Sequence, residues 1–436
     1  MPAPAAATGL ALQFQLERTQ WLSADRLRAL QLRQLEVMLR HAYATVPLYR
    51  SRWKGLYEPE RGRTDETFAR LPLLTKRDLQ NQFNDLKSRN IPQSHGRVGE
   101  TRTSGSTGKP VRVLKTSVAQ LYWSAFTLRD HIWHRRDLKS KLAAIRGGVP
   151  ASEGDGWGSA TDGVVNTGRG ATLPVGTDVR AQLEWLQQQQ PDYLLSHPSN
   201  LAELAKLSLA QNVRFPRLRE VRTSGELLTQ EVRDLCRQAW DVPVTDMYSA
   251  NEVGYIALQC PQHEHYHVQA EDVIVEVLDE RGEPCAPGQT GRVVISTLHN
   301  FAMPLVRYDI EDFAEVGAPC PCGRGLPVLR RIVGRVRNML VTADGKCYWP
   351  SFKLSRIMDE APLLQYQIVQ KEFDLIEARL VTASPLTGGQ EEKLRQHILS
   401  QLPLGFRVNL AYCSEIPRSA GGKFEDYVSE VAASRS

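Results

Sequence analysis

The sequence contains little cysteine and no long apolar run. Seven cysteines scattered over 436 residues do not form a disulfide framework, and they favour a reducing, cytoplasmic compartment. No stretch approaches the roughly 18 apolar residues that a membrane span needs. The first residues also lack the basic and apolar regions of a secretory signal. We therefore expect no membrane partner.

The small excess of positive charge excludes another class of partner. Lys and Arg total 54 against 49 Asp and Glu, a formal net charge of +5. A dedicated nucleic-acid-binding protein usually carries a concentrated basic surface, so we expect no nucleic acid, whereas a small anionic ligand is compatible. Hydrophobic residues make up 42% and charged residues 24%, which predicts an ordinary globular protein with a sizeable core.

The order of the predicted elements indicates an α/β fold with two domains. Helical patterns alternate with short strands over residues 179–249, which predicts parallel strands in a layered sheet. From residue 272, period-two segments around a Gly/Pro turn predict an antiparallel meander or barrel. A boundary near Gly334-Arg335 divides a large domain, 1–333, from a small, mobile α+β domain, 334–436.

A loop rich in glycines and hydroxyl side chains is the first candidate for chemistry. Its sequence is TRTSGSTGKP, from Thr101 to Pro110. Glycines let backbone N–H groups face an anion, hydroxyls add donors, and Lys109 adds a point charge for phosphate. The spacing excludes a Walker A loop, and the alternative is a flexible hairpin turn. We favour a phosphate loop made by Ser104, Gly105, Ser106, Thr107, Gly108 and Lys109.

This loop resembles the phosphate loop of the adenylate-forming superfamily. The phenylacetate–CoA ligase branch, with its capsule-biosynthesis relatives, is the most similar. Five further motifs follow in that family's order, and the joint match spans Thr103 to Lys423. They are TSGE from Thr223, DMYSANE from Asp246, PLVRYDIED from Pro304, GRVRNML from Gly334 and PRSAGGK from Pro417.

The resemblance implies an adenine and magnesium site in the second and third motifs. Gly225 and Glu226 would lie along the adenine, and Tyr248 would stack on it. Ser249, next to Tyr248, replaces the family's usual glycine. Glu252 would hold Mg²⁺, in line with the preference of hard cations for carboxylate oxygen. The alternative for Glu252 is a capping residue at the start of a helix.

The same family resemblance implies that later motifs bind the ribose and the reacting phosphate. Asp312 suits the ribose, because a carboxylate accepts from both hydroxyls of a diol, and Arg335 matches an arginine near the ribose. Lys423 matches the lysine that stabilises charge as a carboxylate attacks the α-phosphate. Glu311 and Arg337 stand where glycine and aspartate are usual. A glycine at the first of these positions would supply a positive φ.

These motifs imply an AMP-forming acid ligase that uses ATP and Mg²⁺. A small-molecule carboxylic acid would become an acyl-adenylate with release of pyrophosphate. After the small domain rotates, the acyl group would pass to an acceptor, most often coenzyme A in this family. Two alternatives stay open: transfer to an amine, peptide or carrier-protein thiol, and a nucleotide-binding homologue without catalysis. The acid and the oligomeric state, a homodimer included, are also open.

The acyl pocket has no sequence signature. Tyr193, His197 and the Gly-rich segment 147–176 lie where such a pocket could form. For His197, the default interpretation is a buried histidine whose hydrogen bonds are satisfied.

A separate group of cysteines and histidines predicts a structural zinc site. C-x-x-H followed by C-x-C supplies four soft or borderline donors, enough for tetrahedral zinc. Some members of the resembled branch carry zinc in this region. The alternative is a polar histidine run beside free thiols. The candidate ligands are Cys260, Cys320, Cys322 and one of His263, His265 and His267.

Overall fold

The computed structural model describes most of the chain as two compact units. The first unit extends to Ile332 and the second begins at Val333. None of the helices in the described part combines the length and apolar character needed to cross a bilayer. The described residues are 4–59, 64–102, 110–335, 339–344, 347–348, 361–417 and 424–433.

Helices open the first unit. The apolar spacing of the second helix buries Leu27, Leu35 and Met38. Ser23 occupies its N-cap position without a side-chain hydrogen bond, and Val46 ends it because the residue before a proline disfavours helical dihedrals. The bounds are α1 Pro4–Thr19, α2 Ala24–Thr45, α3 Pro47–Arg52, α4 Thr64–Arg70, α5 Lys76–Asn81 and α6 Phe83–Leu86.

A hairpin flanks the glycine-rich loop. Strands β1 (Val98–Arg102) and β2 (Arg112–Thr116) pair antiparallel, with Arg102 opposite Arg112. Helix α7 (Ser117–Trp133) follows directly, and the hydroxyl of Thr116 caps it by accepting from the backbone N–H of Ala119.

Alternating strands and helices form the parallel half of the main sheet. Strands β3, β5, β6, β7 and β8 run parallel, which confirms the predicted α/β layer, and β4 pairs antiparallel to β5. The strand bounds are β3 Leu142–Arg146, β4 Ser152–Asp155, β5 Arg169–Pro174, β6 Tyr193–Ser196, β7 Glu220–Ser224 and β8 Val244–Ala250. The helices are α8 Ser159–Asp162, α9 Val179–Gln189, α10 Pro198–Ala210 and α11 Gln230–Trp240.

The predicted meander forms the antiparallel half of the same sheet. Twelve strands of the described chain join in the order β11-β12-β13-β14-β10-β9-β8-β7-β6-β3-β5-β4. Because β8 pairs parallel with β7 and antiparallel with β9, it joins the two halves. The added strands are β9 Gly254–Gln259, β10 Tyr266–Val268, β11 Val273–Leu278, β12 Thr290–Thr297, β13 Tyr308–Val316 and β14 Val328–Arg335.

The second unit is a small α+β structure, as predicted. Four of its strands form a sheet in the order β19-β18-β17-β20, and α12 adds Leu394 and Ile398 to its core. The hydroxyl of Thr387 and the side chain of Gln390 form a capping box at the start of α12. The bounds are β15 Leu340–Val341, β16 Cys347–Tyr348, β17 Leu363–Glu372, β18 Leu375–Thr382, α12 Gly388–Ser400, β19 Arg407–Tyr412, β20 Tyr427–Ser429 and α13 Glu430–Ala433.

Candidate nucleotide site and cysteine–histidine cluster

Three neighbouring parallel strands bring two motif residues and His197 to one edge of the sheet. His197 follows β6, Gly225 follows β7, and Tyr248 lies near the end of β8. Carboxyl ends of parallel strands meet at the same edge, where open α/β sheets bind ligands. Gly225 adopts φ +85°, a conformation that favours glycine and turns the chain sharply after β7.

A hydrogen bond joins the third and fourth motifs. The hydroxyl of Tyr248 donates to Oδ2 of Asp312 at 2.7 Å, although the two residues are 64 positions apart. Both side chains are buried. The bond fixes the plane of the tyrosine ring and holds the carboxylate beside it.

Glu252 lies next to the fourth motif as well. The hydroxyl of Tyr308 donates to Oε1 of Glu252 at 3.2 Å. Glu252 lies in the turn between the antiparallel strands β8 and β9, and no helix begins there. The interpretation of Glu252 as a helix cap is therefore wrong, because the chain reverses into a hairpin.

Lys115 is a cation of this region that the sequence did not single out. Burial lowers its pKa, and the nearby carboxylates of Glu252 and Asp272 oppose that effect. Burial also raises the pKa of Asp272 to about 7, against the influence of Lys115. The sequence signal was weak: a lysine that follows Val113 and Leu114 in the strand after the glycine-rich loop.

Glu311 adopts the backbone conformation for which the family uses glycine. Its φ is +65°, in the left-handed region, and its side chain forms an ion pair with Lys76 at 3.0 Å. Its backbone N–H donates to Oδ1 of Asp309. Local contacts therefore hold a conformation that costs an L-residue about 1–2 kcal/mol.

Glu226 binds the start of α10. Its carboxylate accepts from the backbone N–H of Ser199 at 2.9 Å and from the hydroxyl of Ser199 at 3.0 Å. This matches the preference of negative charge for a helix N-terminus. Ser199 was not predicted, and no motif marks it.

The expectation that His197 is fully satisfied is wrong. Its Nδ1–H donates to the carbonyl oxygen of Ser224 at 2.9 Å, whereas Nε2 is buried without a hydrogen-bond partner among the described residues. Because a carbonyl oxygen can only accept, Nδ1 carries the proton of this bond.

The remaining site predictions are placed only in part. Ser249 is half-buried in β8 opposite Tyr255, and Arg335 ends β14. The phosphate loop, with Ser104, Gly105, Ser106, Thr107, Gly108 and Lys109, lies outside the described residues, as do Arg337 and Lys423. Their roles stay predictions.

Four of the predicted zinc ligands converge. The ligand atoms of Cys260, His267, Cys320 and Cys322 all lie within 4.8 Å of one another. Sγ of Cys260 is 3.8 Å from Sγ of Cys320, and Sγ of Cys322 is 3.4 Å from Nε2 of His267.

His267 belongs to this cluster because β10 holds it inside the sheet, where its side chain is fully buried. Burial lowers the pKa of His267 to about 3, which favours the neutral, ligating form. His263 and His265 are outside the cluster, and their rings stack at 5.1 Å. A sequence run of three histidines could not distinguish them.

Comparison with known proteins assigns the chain to a family. The family model described as AMP-binding enzyme matches residues 29–303. The phenylacetate–coenzyme A ligase of Escherichia coli (strain K12) is 26% identical over 93% of this chain and 95% of its own length. That of Thermus thermophilus is 25% identical over 92% and 96%. A 2-hydroxyisobutyryl-CoA ligase structure with a bound acyl-AMP has a TM-score of 0.73 at 20% identity, covering 96% of this chain and 93% of that one, which supports the fold.

Proposed function

Since the chain belongs to the family of AMP-binding enzymes, we propose that it is an AMP-forming acid–CoA ligase. A carboxylate of a small-molecule acid attacks the α-phosphorus of ATP, forming the acyl-adenylate and releasing pyrophosphate. The thiol of coenzyme A then attacks the acyl carbon, a thioester forms, and AMP leaves. The names of the curated relatives support coenzyme A as the acceptor.

The observation that carries this proposal is the hydrogen bond between Tyr248 and Asp312. Two motifs with separate predicted roles, adenine stacking and ribose binding, meet at the ligand-binding edge of the sheet. The ring of Tyr248 is held in place for the base, and the carboxylate of Asp312 accepts from the ribose hydroxyls.

Glu252 is proposed to hold Mg²⁺, which would neutralise charge on the ATP phosphates. Its carboxylate oxygen suits a hard cation, and Tyr308 orients it. Lys115 adds a cation close to this carboxylate. Within the same proposal, residues 104–109 cradle the phosphates through backbone and hydroxyl donors.

The C-terminal residues are proposed to complete the site. In this proposal, residues 334–436 form a lid, Arg335 contacts the ribose, and Lys423 stabilises negative charge that develops on the α-phosphate. The lid then rotates before the acyl group is transferred to coenzyme A. A cytoplasmic location is part of this proposal, because coenzyme A and ATP are intracellular substrates.

An exchange assay tests the proposed function. Purified protein, ATP, Mg²⁺ and labelled pyrophosphate are combined with a panel of aryl and aliphatic acids that includes phenylacetate. We expect exchange with at least one acid, and a thioester detected by mass spectrometry when coenzyme A is added. Exchange without a thioester would favour an amine or carrier-protein acceptor. No exchange with any acid would favour a nucleotide-binding homologue without catalysis.

We also propose that the cluster of Cys260, His267, Cys320 and Cys322 binds a structural Zn²⁺. Three thiols and one imidazole are a common zinc ligand set, and four protein ligands leave no open position for catalysis. The site would tie the β9–β10 hairpin to the loop before β14. Metal analysis of the purified protein should give one zinc per chain, and a metal content far below that would overturn the assignment.

A further inference from the structure

The loop that carries Cys320 and Cys322 packs against the turn between α1 and α2. Nε of Arg324 donates to Oε1 of Gln20 at 2.8 Å, and the backbone N–H of Gly325 donates to the carbonyl of Gln20 at 2.9 Å. A Cβ at position 325 would lie 1.7 Å from the carbonyl oxygen of Leu22. Only glycine permits this approach, so the two segments are closely packed.

Two tryptophan rings enclose the guanidinium of Arg324. Its central carbon lies 4.8 Å from the ring centroid of Trp21, in the α1–α2 turn, and 4.5 Å from that of Trp133, at the end of α7. Both distances are within the range of cation–π attraction. A planar guanidinium stacks on such rings and still donates hydrogen bonds at its edges, which a lysine ammonium does not.

Arg324 also reaches the cysteine–histidine cluster. Its Nη1 donates to Sγ of Cys322 at 3.5 Å. The ring of Trp133, which contacts Arg324, meets the ring of His267 edge-on at 5.8 Å. The same guanidinium therefore touches one ligand directly and a second through a shared neighbour.

Charge explains why a cation belongs here. Three thiolates and a neutral imidazole around Zn²⁺ leave the site with a net charge of −1. A donor cation beside one sulfur offsets that charge and orients the ligand, as outer hydrogen-bond partners of metal sites do. Gln20, which accepts from Arg324, is fully buried and donates in turn to the carboxylate of Glu17 in α1 at 2.7 Å.

We propose that Arg324 is a positioning residue that couples the metal cluster to the N-terminal helices. It holds Cys322 towards the metal, and through Gln20 and Trp21 it fixes the turn that joins α1 to α2. Loss of the metal frees the side chain of Cys322 and removes one partner of Arg324. The contacts of Arg324 with Gln20 and Trp21 then weaken, and the turn between α1 and α2 becomes more mobile. The inference rests on the zinc site proposed above, and it is independent of the acid that the protein activates.

Zinc release tests the first half of this coupling. Full-length Arg324→Met, Arg324→Lys and Arg330→Met proteins are mixed with the chromogenic chelator 4-(2-pyridylazo)resorcinol. Arg330 is a matched control, because its side chain is exposed and pairs with Glu315, which is not one of the proposed metal ligands. We expect Arg324→Met to release zinc at least about tenfold faster than wild type, Arg324→Lys to be intermediate, and Arg330→Met to be unchanged. Release from Arg324→Met within twofold of wild type would overturn the proposal. If this variant fails to fold, release from Arg324→Lys at the wild-type rate would overturn it.

Tryptophan fluorescence tests the second half. Removal of zinc from wild type should change the emission of Trp21, which is identified by comparison with Trp21→Phe. The change should be largely absent in Arg324→Met, where the turn is already released. An unchanged Trp21 signal after complete zinc removal would overturn the coupling while leaving the metal assignment intact. A wild-type protein without zinc would overturn both, whereas a failure of pyrophosphate exchange would affect only the ligase function.

Discussion

The phenol of Tyr248 donates a hydrogen bond of 2.7 Å to the carboxylate of Asp312. A Tyr248→Phe variant keeps the ring that would stack on adenine and removes this donor. We expect KM for ATP to rise about fivefold, the equivalent of one hydrogen bond of about 1 kcal/mol. Tyr248→Ala should raise it further because the ring is lost as well. Pyrophosphate exchange at varied ATP measures both, and equal values for the two variants would contradict the stacking role.

Lys115 should contribute to adenylation through its charge. Replacing it with methionine removes the positive charge that interacts with the carboxylates of Glu252 and Asp272. We expect the exchange rate to fall at least about tenfold, which corresponds to about 1.4 kcal/mol in the barrier. Arg112→Met is the matched control, since Arg112 lies on the same strand but is exposed and pairs with Glu100. If both variants lose activity equally, the charge of Lys115 has no special role.

Glu311 should tolerate glycine better than alanine. Both substitutions remove the ion pair with Lys76, but only glycine relieves the cost of φ +65°. We expect Glu311→Gly to have a free energy of unfolding about 1 kcal/mol above that of Glu311→Ala. Urea unfolding of the two proteins under identical conditions measures this difference. An alanine variant as stable as the glycine variant would show that this backbone position is unstrained.

We expect His299 to lower the free energy of unfolding in mild acid. Burial lowers its pKa from 6.5 to about 4, and its ring stacks on Tyr122 at 4.1 Å. Between these values the unfolded chain binds a proton that the folded chain does not, so the free energy of unfolding falls as pH decreases from 6.5 to 4. Stability is retained above pH 6.5.

A His299→Asn variant tests that contribution, because asparagine is a donor that can replace the bond to the carbonyl of Glu271 without titrating. Urea unfolding at pH 7, 6 and 5 should show a smaller pH dependence than in wild type. Identical slopes would show that His299 does not take up the proton.

The two histidines His267 and His263 should differ in their effect on metal content. His267→Ala removes a donor from the cluster, whereas His263→Ala changes a residue outside it. We expect the first variant to lose most of its zinc and the second to retain one zinc per chain. Metal analysis after dialysis gives both numbers. Zinc loss in His263→Ala alone would reverse the assignment.

Sequence patterns predicted the sheet where local signals were strong. The strand that ends at Ser224 lies between α10 and α11, the strand that contains Tyr248 follows α11, and the two strands are parallel as expected. The same patterns could not predict that the meander joins this sheet through β8, because pairing between distant strands leaves no mark on local periodicity.

In the candidate site too, residues in sequence motifs were predicted, and residues whose roles depend on the fold were not. Asp312 and Tyr248 were found because each belongs to a motif with a characteristic order of residues. Three features were missed, since their roles depend on what surrounds them in the fold: Lys115, Ser199 and the Nε2 of His197, which has no hydrogen-bond partner within the part of the chain that the structure describes. The choice of His267 over its two neighbours was likewise decided by which strand enters the core.

The antiparallel register brings the cysteine–histidine cluster close to Tyr248 of the candidate nucleotide site. Leu258 of β9 is opposite His267 on one side and Met247 on the other, and the adjacent Ala257 is opposite Tyr248. One strand therefore separates the cluster from the tyrosine. A one-residue slip of β9 would turn its buried side chains to the opposite face of the sheet and displace both neighbours. A substitution that shifts this strand would therefore disturb the tyrosine and the metal-ligand cluster together.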